Sequence, residues 1–237
     1  MKEVDELKDK MSTAASILKW ELANMWGHVS VRTPDGRGFL LMHLRPPEDP
    51  AIPADDVLEY DLDGNLVSGR RDQPDEIFFY VCPYKARKDV GAVIHCHPEM
   101  AVALTAAGKK IFGFHLHSIK FGRGVPVSPW LYGIWREHGE QATRMMGESC
   151  ALMIQGHGAL VTGETLEEAC MTMVRLERAA KMILLASPLG RLRPLSSAVV
   201  KKFQTVVAGR SGGTRRVPLE WRYYESLVKR GEWWSRP

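Results

Sequence analysis

The sequence is short of cysteine. Among 237 residues there are four, Cys82, Cys96, Cys150 and Cys170, and no two form a Cys-x-x-Cys pair. That spacing excludes a zinc ribbon or a dithiol redox motif and leaves reduced thiols in apolar settings. No charge-free run approaches the roughly 20 apolar residues that a bilayer-spanning helix needs. The opening stretch MKEVDELKDKMSTAA carries no long apolar segment of the secretory kind, so a cytoplasmic protein with no membrane partner is expected. No long Gly/Ser-rich or Pro-rich linker and no internal repeat interrupts the chain. Residues 1–237 are therefore read as a single domain, with residues 208–237 as an aromatic C-terminal tail. The formal net charge is +4, and the basic residues are spread rather than clustered. With no recognised module, this argues against nucleic acid and suits a small anionic substrate.

What is present reads as alternating helices and strands. Apolar residues at helical spacing predict a helix over 3–25. Gly27 to Arg32 and Gly38 to Leu44 flank the turn Thr33-Pro34-Asp35-Gly36 and predict a hairpin. Arg45 to Asp55 is a Pro-rich loop, followed by short strands at Val57 to Tyr60 and Leu66-Val67. Glu76 to Arg87 predicts a helix, although Pro83 is expected to bend or break it. Val90 to Cys96 is an apolar strand closed by Pro98. Met100 to Ala107 and Tyr132 to Met146 predict helices, and Cys150 to Ile154 and Ala159 to Thr162 strands. Thr165 to Ser187 has the clearest helical period in the chain, with Glu167 and Glu168 in its first turn. Leu195 to Val207 is a further helix. The end, WRYYESLVKRGEWWSRP, holds three of the seven tryptophans. Such a tail needs a surface to cover, on its own subunit or on a neighbour.

The histidines carry the chemistry. Side chains alternate along a strand, so His95 and His97 share one side at the end of the Val90 to Cys96 strand. Two neutral imidazoles there suit a divalent ion, which needs a third or fourth ligand. His157 lies between two glycines after a second strand, where backbone can approach closely. The competing reading is a polar strand end with hydrogen-bonded histidines. His115 and His117 alternate in FHLHS and fit either a substrate contact or a surface strand. His43 and His138 look ordinary.

Four stretches together resemble the class II aldolase and adducin-like superfamily. They are GHVSVR at Gly27 to Arg32, QPDE at Gln73 to Glu76, AVIHCHP at Ala92 to Pro98, and QGHGALVTG at Gln155 to Gly163. The resemblance spans roughly residues 10 to 190. It implies a three-layer α/β/α fold of class II aldolase type, with a central, mainly antiparallel sheet. It implies one divalent ion per subunit, zinc, manganese, iron or cobalt, held by His95, His97 and His157, with Glu76 as the acid/base. It also implies a homotetramer with sites near subunit boundaries.

The sequence departs from the sugar-phosphate members of that superfamily. His28 stands where they have asparagine, and the serine- and glycine-rich phosphate elements are missing after the hairpin and before Glu76. A phosphate dianion needs such amide and hydroxyl donors. Arginines stand near these places instead, and a guanidinium pairs bidentately with a carboxylate. Arg45 and Arg71 are the foremost substrate-binding candidates, with His28, Arg32, Arg123 and His117 beside them. The set looks more like the branch that decarboxylates hydroxylated aromatic or pyridine dicarboxylates. The expected reaction is metal-dependent, non-oxidative loss of CO2 from a dihydroxyphthalate-like substrate. In it, Glu76, kept protonated by its setting, delivers a proton to the ring carbon. An aldolase or epimerase acting on a hydroxy-keto or sugar substrate is the alternative.

Overall fold

The computed structural model describes residues 2–22, 26–44, 57–69, 74–211 and 217–231. One eight-stranded sheet runs through these residues. Its strands are β1 (Gly27–Arg32), β2 (Gly38–His43), β3 (Leu58–Asp61), β4 (Leu66–Ser68), β5 (Ala92–Cys96), β6 (Val127–Ser128), β7 (Ala151–Ile154) and β8 (Gly158–Gly163). Their order is β4-β3-β2-β1-β5-β8-β7-β6. Every neighbouring pair is antiparallel except β6 and β7. The mainly antiparallel sheet expected from the sequence is therefore present.

Strand alternation sorts side chains between two cores. Val29 and Val31 of β1, Ile94 and Cys96 of β5, and Ala159 and Val161 of β8 face one way. They meet α1 (Lys2–Leu22), α3 (Glu99–Ala106), α5 (Leu166–Ala186) and α7 (Leu219–Arg230). Phe39, Leu41, Val93, Leu152, Ile154 and Leu160 face the other way, toward α2 (Phe78–Ala86) and α4 (Arg136–Met146). His28 and His95 share this second face by the period of two. The layers are thus helix, sheet, helix. A further helix, α6 (Ser197–Ser211), follows α5.

The local signals explain most boundaries. Thr165 caps α5, its hydroxyl accepting the N–H of Glu168 at 3.2 Å, and Glu167 and Glu168 sit in the first turn. Pro83 lies inside α2, yet the helix runs on to Ala86 and the N–H of Arg87 closes on the Pro83 carbonyl at 3.0 Å. Three expectations need correction. Glu76 precedes α2 in a turn instead of opening the helix. Tyr132 precedes α4, which begins at Arg136 because Gly133 is held in a tight loop. His115 and His117 lie on a turn closed by Ser118, whose hydroxyl accepts the N–H groups of Phe114 and His115, and they are not on a strand.

The C-terminal helix α7 covers its own chain. Trp221 and Tyr224 are buried against the first core, and the Tyr224 hydroxyl joins Glu21 of α1 and Arg178 of α5. Trp233 and Trp234 lie outside the described residues. No described helix is long and apolar enough to cross a membrane.

Candidate metal centre

β5 sits between β1 and β8, so His95 at its end has no exposure to solvent. Its Nδ1 lies 3.0 Å from the carbonyl of Ala159 on β8. A carbonyl only accepts, so Nδ1 carries the proton and Nε2 keeps its lone pair. His157 is fixed in the same way, with Nδ1 2.7 Å from the Leu131 carbonyl. Its ring stacks on His97, with centroids 5.1 Å apart and planes 22° apart. His97 in turn meets His95 edge-on at 4.9 Å. Gly158 makes this crowding possible. A Cβ there would lie 2.7 Å from the Cys96 carbonyl oxygen and 2.8 Å from the His97 ring.

Glu76 closes the cluster. Its Oε2 is 3.1 Å from His95 Nε2 and its Oε1 is 3.3 Å from His157 Nε2. One ligand atom from each of Glu76, His95, His97 and His157 lies within 4.8 Å of all the others. Buried Glu76 Oε1 and His95 Nε2 make no hydrogen bond. The reason is chemical: an imidazole nitrogen whose partner nitrogen holds the proton has none to give a carboxylate. Electron pairs converging in a buried space fit a shared cation, and three imidazole nitrogens with a carboxylate beside them suit a divalent transition metal.

The protonation states agree with that fit. Burial, then the neighbouring His95 and His157, push His97 down to about 3. Burial and His95 also lower His157. These rings are neutral at neutral pH, as ligands must be. For Glu76, burial acts upward, but His95, His157 and His97 together outweigh it and hold the carboxyl below the usual carboxylate range. This direction runs against the protonated Glu76 expected from the sequence: positive charge among the three imidazoles, or a cation held in their place, favours the carboxylate.

The structure places the remaining candidates as follows. His28 is opposite His95 in register and His43 is opposite His28, so three imidazoles stand in a row on one face of β5, β1 and β2. His28 Nε2 lies 3.0 Å from His43 Nδ1, while its buried Nδ1 has no hydrogen-bond partner. Burial, then His43 and His95, keep His28 well below its ordinary pKa. Arg32 sits at the other end of β1. Its guanidinium donates to the carbonyls of Tyr84, Val90 and Arg87, which makes it a brace between α2 and the sheet. Arg123 is exposed and makes no hydrogen bond or ion pair among the described residues. His117 is exposed, with Nδ1 3.9 Å from Glu220 on α7. Arg45 and Arg71 lie outside the described residues.

Sequence reasoning missed the loop over the cluster. Leu131 is buried and its carbonyl orients His157. Gly133 presses against Glu76, since a Cβ there would lie 2.9 Å from the Glu76 Cβ. Trp130 and Tyr132 flank His157 at 6.2 and 6.1 Å. The run Trp-Leu-Tyr-Gly was the available signal, because a glycine among aromatics fits poorly at the start of a helix. Glu177 was also missed. Both its carboxylate oxygens accept N–H groups at the start of α3, from Met100 and Ala101, each at 2.9 Å. It thereby steadies the turn that follows His97.

Residues 17–184 match the class II aldolase and adducin N-terminal domain. The chain is 27% identical over 214 residues to 3,4-dihydroxyphthalate decarboxylase of Arthrobacter keyseri, covering 83% of each chain. It is 30% identical over 173 residues to the enzyme of the same name from Terrabacter sp. strain DBF63, covering 67% of this chain and 71% of the relative. The fold is shared with L-fuculose 1-phosphate aldolase from Glaciozyma antarctica PI12, at a TM-score of 0.78 and 19% identity over 97% of this chain and 91% of that one. With the sheet, the cluster and the matched residues in agreement, the chain belongs to the class II aldolase and adducin N-terminal domain family.

Proposed function

We propose that this lyase removes CO2, without oxidation, from a hydroxylated aromatic or heteroaromatic dicarboxylate. The observation that carries the reading is the placement of the Glu76 carboxylate within 3.1 Å of His95 Nε2 and 3.3 Å of His157 Nε2. A carboxylate beside imidazole nitrogens that converge on one point is what a metal-assisted proton transfer requires. The decarboxylase names of the two curated relatives support the same reading.

His95, His97 and His157 would hold the divalent ion, which supplies a Lewis acid that draws negative charge onto a substrate oxygen. Glu76, as the carboxylate, takes the proton of the ring hydroxyl. The bond from the ring to the departing carboxylate breaks, its electron pair stays with the ring carbon, and CO2 leaves. Glu76 then returns its proton to that carbon. The product's oxyanion takes one proton from solvent to restore the hydroxyl, so the net change is replacement of one carboxylate by hydrogen with uptake of one proton, and the acid/base ends as it began. His28, whose buried Nδ1 lacks a partner, is the candidate to hold a polar substituent of the substrate. Arg45 and Arg71 are proposed for the second carboxylate. A homotetramer belongs to this proposal and is checked by light scattering.

The test is CO2 release by metal-reconstituted protein from dihydroxyphthalates, hydroxypyridine dicarboxylates and hydroxybenzoates with a single carboxylate. Release from a dicarboxylate is expected. No release from any of them, with cleavage of a hydroxy-keto acid by the same protein, would assign the chain to the aldolases instead.

A further inference from the structure

The loop between β6 and α4 is built to present two rings. Alternate residues point inward. Leu131 is buried in the second core, and Gly133 fits against Phe79 and Glu76. The backbone is tied at each step. The Leu131 carbonyl accepts from His157 Nδ1, the Gly133 carbonyl accepts the Phe78 N–H at 3.1 Å, and the Tyr132 N–H donates to His138 Nδ1 at 3.1 Å. The residues between, Trp130 and Tyr132, are left on the outer side. Their rings lie 6.0 Å apart with planes only 24° from parallel, and each is about as far from the His157 imidazole. Trp130 remains 56% exposed.

A single exposed tryptophan carries little information. Two nearly parallel aromatic rings, fixed by a loop that also orients a histidine of the reaction centre, are different. Their positions are set by the same hydrogen bonds that set His157. They bring apolar ring faces, that of Trp130 the more exposed, beside a polar cluster, which is the division of labour of a small-molecule site. We propose that Trp130 and Tyr132 form an aromatic platform on which the planar ring of the substrate lies while its oxygens reach the cluster, so that they select flat rings over open-chain hydroxy acids. The proposal deepens the decarboxylase reading and rests on it for the position of the ring. A ring stacked in offset geometry on indole gains dispersion and quadrupole attraction over its whole face. An open-chain hydroxy acid can reach the cluster but presents no such face.

The test is a binding titration, with no turnover involved. Metal-loaded wild type, Trp130→Leu, Trp130→Phe and Tyr132→Leu are titrated by calorimetry with two chelating probes. One is 3,4-dihydroxybenzoate, a flat ring, and the other is tartronate, which has no ring. Trp130→Leu is expected to weaken the ring probe by about tenfold and leave tartronate within about twofold. Tyr132→Leu should act in the same direction, and Trp130→Phe should keep most of the ring affinity. Trp130 is more than half exposed, so its replacement leaves the Leu131 contact and the fold in place. Equal losses for both probes, or no loss for the ring, would overturn the platform. So would a change in oligomeric state with ring affinity unaltered, because the rings would then serve a subunit contact. Ring selectivity in a protein that releases no CO2 would keep the platform and reject the decarboxylase. CO2 release with no dependence on Trp130 would do the reverse.

Discussion

The two faces of β5 are made by one five-residue strand, Ala92–Cys96, and they do opposite things. Ala92, Ile94 and Cys96 enter a continuous apolar core with α1, α5 and α7. Val93 and His95 face α2, and there the core gives way to unpaired ring nitrogens and a buried carboxylate. Burying polar atoms without partners opposes folding. The apolar face can offset that cost because its packing is uninterrupted. The lesson is that stability and chemistry are divided across the sheet by the period of two, so substitutions on the two faces should separate cleanly.

The largest separation is expected from His97→Ala. Outer-shell changes cost about 10–100-fold in metal affinity, and loss of a proposed ligand should exceed that, with the urea midpoint of the metal-free protein little changed. Competition against a calibrated chelator measures it. Trp221→Ala tests the opposite face. Trp221 is 1% exposed, so its truncation should remove about 3–5 kcal/mol of stability and leave the metal stoichiometry of the folded protein intact. Loss of metal in the folded Trp221 variant would show that the faces are not independent.

Gly158→Ala probes the seam between the faces. The added methyl meets the Cys96 carbonyl and the His97 ring, and the expected result is about tenfold weaker metal binding by the same competition. The smallest effect concerns acid. His97 is held down to about 3, chiefly by burial, against an unfolded value near about 6.5. The unfolded chain therefore binds the extra proton first. The stability contributed by the neutral ring is complete at neutral pH and is lost as pH falls from about 6.5 toward 3. The urea midpoint of metal-free protein should drop between about pH 7.5 and about pH 5.5, and less so in His97→Asn.

Much of this was legible in the sequence because it is local. The alternation that puts His95 and His97 on one side of a strand, the cap at Thr165 and the glycines around His157 are read over a few residues. The four-residue cluster followed from the resemblance of short motifs. What was not legible depends on distant pairing. Arg32 is an ordinary strand-end arginine until α2 and the turn after it bring three carbonyls to it. Glu76 looks like a carboxylic acid in an apolar setting until three imidazoles surround it. Tyr132 reads as the first residue of a helix, and only the carbonyl of Leu131 on His157 shows that the loop with Trp130 and Tyr132 belongs to the site. The register of His43, His28 and His95 across three strands likewise needs the sheet order.

The central claim is that Glu76 moves the proton while the histidines hold the ion. It is tested most directly by measuring metal content and single-turnover CO2 release together on Glu76→Gln. The account predicts metal occupancy close to wild type and release slowed by about 10²–10⁴-fold. Wild-type release from a variant that cannot carry the proton would contradict it.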